Sequence, residues 1–158
     1  YQPGPPAWIR ARWQWGPLSW PLYWCDVVNA EHLDCGGFAA LALAAFRAAD
    51  TTALPVQLIQ RFDHSACEAW SATWRSSLNG ADWISGDFVY HEATAVLQDG
   101  KLRIWDPTDG LWIDEGLKGY GETLRIRSLG LTEEWDSIPF QTLETWRRDA
   151  VALLMKKG

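Results

Sequence analysis

Between Asp34 and Ala49 the chain reads as a helix whose burial dictates what must surround it. Phe38, Leu41, Ala45 and Ala48 recur at helical spacing, and alanine, the best helix former, fills the gaps. Asp34 is a suitable cap for its start. The segment is apolar almost all round, so the helix must be central, with other elements packed over it.

The covering elements can be read downstream. Leu54 to Phe62 reads as a strand. Ser65-Ala66-Cys67-Glu68 matches a capping box and opens a second helix to about Leu78, stopped by Asn79-Gly80. Phe88 to Leu97 and Leu102 to Asp106 read as strands joined by a tight Asp99-Gly100 turn. Leu111 to Ile113 and Thr123 to Leu129 are further strands. Pro139 begins a last helix with Leu143, Trp146, Ala150 and Leu153 on one stripe. One buried helix ahead of mostly antiparallel strands predicts an α+β fold.

Residues 1–24 stand apart from the domain at 25–158. They hold Pro3, Pro5, Pro6, Pro17 and Pro21, which deny a continuous helix, and five of the twelve tryptophans. The segment reads as an extended aromatic arm, its rings either covering core or lining a cleft.

The bulk properties narrow the partners. The net charge is −6 with no lysine/arginine-rich run, which argues against nucleic acid. No stretch approaches the ~18 apolar residues of a membrane helix. The start, Tyr-Gln-Pro-Gly-Pro-Pro, has no secretory-signal pattern. Three cysteines cannot all pair within the chain, which fits a reducing, cytoplasmic setting. No cofactor motif is present: no Gly-rich phosphate loop follows a strand, and Gly36-Gly37 alone is too weak to count as one.

Cys35 falls at the first turn of the central helix. Backbone N–H groups there favour negative charge, and a thiolate is the nucleophilic form of cysteine. Gly36 and Gly37 each cost roughly 1 kcal/mol against alanine in a helix. They make sense if something approaches that backbone closely. Asp34 would oppose a thiolate if its carboxylate pointed at the sulfur, and is expected to cap the helix instead.

The hairpin brings a base and a carboxylate together. His91 shares a strand face with Val89, Ala93, Ala95 and Leu97, and Asp106 shares one with Leu102 and Ile104. A two-residue Asp99-Gly100 turn pairs Leu97 with Leu102, Ala95 with Ile104 and Ala93 with Asp106, apolar against apolar. His91 and Asp106 are then diagonal neighbours about 7–8 Å apart along the backbone. Their face is expected to pack on the Cys35 helix, which would give a nucleophile, a base and an orienting carboxylate. Taken singly, each has a plainer explanation: a small buried cysteine, a satisfied core histidine, a turn at Asp106-Pro107-Thr108-Asp109-Gly110. Together they form a catalytic set. For an oxyanion the Cys35 N–H is one donor, with Asn29 or Trp24 as candidate side-chain partners, although a turn role explains Asn29 equally well. A different reading places structural zinc on His32-x-x-Cys35 and His64-x-x-Cys67; a third is an inactive interaction module.

From about Asn29 to Gly110 the chain resembles the transglutaminase-like branch of the papain-like cysteine protease superfamily. Cys35-Gly36-Gly37-Phe38-Ala39-Ala40-Leu41 is similar to the family's nucleophile helix. Ala48-Ala49 through Leu54-Pro55-Val56-Gln57-Leu58-Ile59 is similar to its helix-to-strand passage. His91 and Trp105-Asp106-Pro107-Thr108 are similar to its histidine strand and Asp-Pro-Thr segment. The resemblance implies a central nucleophile helix packed on an antiparallel sheet. It assigns Cys35 as nucleophile, His91 as base and Asp106 as orienter, with no metal and no cofactor. It also implies a thioester on Cys35, formed from an amide or peptide-like acyl group supplied by a small substrate, a protein partner or a carrier. Water resolves the thioester in a peptidase or amidase, and an amine in an acyltransferase. Gly36 and Ala93 stand where the family often has aromatics, and Gln57 replaces its usual arginine. With its short length, this separates the chain from the multidomain cross-linking enzymes.

Overall fold

The computed structural model describes residues 5–16, 24–76, 82–113, 121–128 and 139–157, with side chains of the final helix described to 152. In chain order the elements are α1 (Trp8–Arg12), β1 (Gln14–Trp15), α2 (Trp24–Asn29), β2 (His32–Leu33), α3 (Cys35–Ala48), β3 (Ala53–Arg61) and α4 (His64–Trp74). There follow β4 (Ile84–Ser85), β5 (Phe88–Gln98), β6 (Lys101–Asp106), β7 (Leu111–Trp112), β8 (Glu122–Ser128) and α5 (Leu143–Lys157). Mixed helix and strand around an antiparallel sheet makes this an α+β fold. No helix among the described residues is long and apolar enough to cross a membrane.

The main sheet runs β7-β6-β5-β3-β8, with β4 also paired to β5, and every pairing in it is antiparallel. Asp99 and Gly100 both take positive φ, +50° and +76°, as a type I′ hairpin turn requires. The expected register follows: Leu97 pairs with Leu102 and Ala95 with Ile104.

Helices cover both faces of the sheet, which is why β3 is buried almost throughout. On one face Phe38, Ala42 and Phe46 of α3 pack with Ala53, Val96 and Trp105. On the other, Trp146 and Ala150 of α5 pack with Leu54, Val56, Ala93, Ala95 and Ile104. This corrects one expectation. The Ala93/Ala95 face meets α5, and α3 lies on the Thr94/Val96 face, where the Thr94 hydroxyl donates to the Ala39 carbonyl at 3.1 Å. That bond lets a polar residue pass unnoticed into a covered layer.

Other differences are local. Residues 8–12 form one short helix rather than an extended arm, seating Ile9 and Trp13 in the α3-side core while Trp8 and Trp24 stay more than half exposed. Trp20 lies outside the described residues. Helix α4 begins at His64, and the capping box does not form: Glu68 turns to His64 Nε2 at 3.1 Å. Asn79-Gly80 falls outside the described residues. Helix α5 starts at Leu143 rather than Pro139, because Gln141 still exchanges two 2.9 Å backbone bonds with Ile126.

Candidate active site

The start of α3 is built as its sequence dictates. Asp34 is extended, and its Oδ1 accepts the Gly37 N–H at 2.8 Å, so the carboxylate serves as a cap. The Phe38 N–H goes to the Asp34 carbonyl at 3.0 Å. Among the described hydrogen bonds, the Cys35 and Gly36 N–H groups have no acceptor, as the first amides of a helix have none within it. Cys35 itself is partly exposed.

His91 and Asp106 lie just past the last β5–β6 pair, Thr94 with Trp105. There, beyond the ladder, imidazole, carboxylate and thiol meet. His91 Nε2 bonds Asp106 Oδ2 at 2.9 Å, and the carboxylate is fully buried. Its Oδ1 accepts the Thr108 N–H at 3.0 Å, so the turn after Asp106 fixes the carboxylate's orientation. The Cys35 thiol lies beside the same imidazole, near enough to raise its pKa by hydrogen bonding and charge. Nε2 is engaged by the carboxylate, so Nδ1 is the nitrogen that faces sulfur. Burial works to lower the His91 pKa. The charge and hydrogen bond of Asp106, then the hydrogen bond and charge of Cys35, outweigh it and hold the pKa well above its ordinary 6.5.

Asn29 is not brought into this group. It ends α2 with an exposed side chain, and its amide donates to the Cys25 carbonyl at 2.8 Å. Trp24 opens α2 and is 58% exposed. The Cys35 and Gly36 N–H groups, without an acceptor among the described hydrogen bonds, are donors at hand for an oxyanion.

The two His-x-x-Cys pairs do not converge. Among the described residues no three His, Cys, Asp or Glu side chains are arranged to hold a metal. Both His64 nitrogens face carboxylates, Asp87 at 2.7 Å and Glu68 at 3.1 Å, and His32 packs beside Gly16.

A second polar group stands at the same helix start. Glu92 bonds to Tyr90 and Gln57, and its pKa is raised, chiefly by burial. Gln57 Oε1 accepts from Arg127 Nε at 2.6 Å. These residues escaped the sequence reading because Tyr90, Glu92 and Thr94 look like the solvent side of a strand whose other side is apolar. The available signal was the paired polar positions Gln57 and Glu92 on adjacent strands.

No family model, curated protein or solved structure matches this chain.

Proposed function

We propose that this protein is a cysteine acyl-transfer enzyme of transglutaminase-like, papain-like type, acting on amide or peptide-like substrates. One observation carries the reading: the unbroken line from the buried Asp106 carboxylate through His91 to the Cys35 thiol at the start of a central helix. The Cys35 thiolate attacks the substrate carbonyl carbon, and the oxyanion forms opposite the Cys35 and Gly36 N–H groups. The imidazolium gives its Nδ1 proton to the departing amine as the C–N bond breaks, leaving a thioester. His91 then takes a proton from water, or from an amine in a transferase, as that nucleophile attacks the thioester. The thiolate is released. Asp106 keeps the Nε2 proton on the carboxylate side, so the proton exchanged in each step is the one on Nδ1.

Incubation with a p-nitrophenyl ester of an acylated amino acid, followed by acid quench and peptide mass spectrometry, tests this. The acyl mass is expected on Cys35, absent from Cys35→Ala, with Cys25 and Cys67 unlabelled. Acyl label spread over Cys25 and Cys35 alike would contradict the reading.

A further inference from the structure

Glu92 follows His91 on β5 and points to the opposite side of the sheet, toward α3. Its carboxylate fills the space beside Gly36: a Cβ at that position would stand 2.4 Å from Glu92 Oε2. The glycine after the nucleophile is therefore where this carboxylate rests. Two neutral donors hold it, the Tyr90 hydroxyl and the Gln57 amide. Gln57 pairs with Glu92 across β3 and β5, and its own oxygen is turned to Arg127. The Arg127 guanidinium also lies over the Phe140 ring, 4.6 Å from its centroid.

No described ion pair gives Glu92 a cation. Among the charged groups that act on it, Asp34 opposes its ionisation and the neighbouring His91 favours it, while the Arg127 charge reaches the Tyr90 hydroxyl. Asp34, Cys35, Gly36 and Glu92 are all partly exposed, so a ligand can reach the carboxylate. A carboxylate held by neutral donors beside the nucleophile, with no ion pair of its own among the described residues, is built to receive a cation.

We infer that Glu92 is a specificity-determining residue that binds a cationic nitrogen, a protonated amine or a guanidinium, carried by the acyl substrate close to its reactive carbonyl. This rests on the acyl-transfer reading and adds a substrate class to it.

The test uses three alkylating agents on the intact protein: cationic 2-bromoethylamine, neutral iodoacetamide and anionic iodoacetate. The exposed Cys25 serves as internal reference, with both sites read by mass spectrometry. The His91 imidazolium beside the sulfur draws the anion in either protein, so the readout is the wild type against Glu92→Gln: normalised to Cys25, the cation-to-anion ratio at Cys35 is expected to be about tenfold higher in the wild type, as close unit charges allow. Tyr90→Phe is expected to keep the wild-type ratio.

A pH series on the wild-type protein gives a second arm that needs no variant to fold. The Glu92 pKa is raised, so its contribution to the ratio is largest at the alkaline end of the series and fades on acidification before the ordinary carboxylate range is reached. The Tyr90 hydroxyl, its pKa pushed up by burial, keeps its proton throughout. A cation-to-anion ratio unchanged in Glu92→Gln, or one constant from pH 5 to 7.5, would overturn the inference. Failure of the acyl-transfer reading shows separately, as iodoacetamide reacting no faster at Cys35 than at Cys25.

Discussion

Asp106→Asn is expected to slow acylation of Cys35 by roughly 10²-fold or more, the scale that positioned acid–base assistance carries. An asparagine fills the same volume but can present its amide N–H₂ to His91 Nε2. The imidazole would then carry its proton on Nδ1 and lose the base that should face sulfur. The buried site gives the change no water to compensate, since the carboxylate is fully enclosed. Stability should respond as well. His91 has a raised pKa in the fold, so its pair with Asp106 stabilises the protein fully below about pH 6.5 and progressively less as pH rises through the folded value. Urea midpoints of the wild type should show that acid-side contribution, and those of Asp106→Asn should lack it. Equal acylation rates in the two proteins would remove Asp106 from the mechanism.

Trp146→Ala is expected to cost about 3–5 kcal/mol of stability, the range for emptying a buried aromatic site. Trp146 is 2% exposed, the largest fully buried side chain among the described residues, and sits where α5 meets Ala93, Ala95 and Ile104. Its indole N–H donates to the Ser128 hydroxyl, so truncation also strands a buried oxygen. Trp146→Phe restores most of the volume and should recover more than half of the loss. The measurement is the urea midpoint with an unchanged slope. Because α5 covers the sheet face away from α3, folded Trp146→Ala protein should keep its Cys35 reactivity. A fall in that reactivity matching the loss of stability would mean that the two faces are coupled.

Some of this was legible in the residues alone. The periodic, alanine-rich segment after Asp34 gave α3, and Asp34 caps it as its side chain allows. Asp99-Gly100 fixed the hairpin register, since the φ values needed there suit few other pairs. That register is what sets His91 beside Asp106. What failed did so for physical reasons. The polar run Tyr90, Glu92, Thr94 resembles a wetted face, yet α3 covers it because Thr94 finds the Ala39 carbonyl and Glu92 finds Tyr90 and Gln57. Only tertiary partners distinguish the two cases. The Ser65–Glu68 capping box was outcompeted by His64, which offers Glu68 a charged neighbour; the Asp87 hydrogen bond and then Glu68 raise the His64 pKa. Asn29 was drawn toward the site by sequence proximity, but α2 gives its amide a nearer carbonyl.

The central claim is that Cys35 and His91 act as one unit. It is tested most directly by iodoacetamide alkylation at pH 6, comparing Cys35 with Cys25 in the wild type and in His91→Ala. The account predicts that wild-type Cys35 reacts at least about tenfold faster than Cys25, because the raised His91 pKa keeps an imidazolium beside the sulfur. That advantage should vanish in His91→Ala. A Cys35 that reacts no faster than Cys25, or whose rate is indifferent to residue 91, would contradict it.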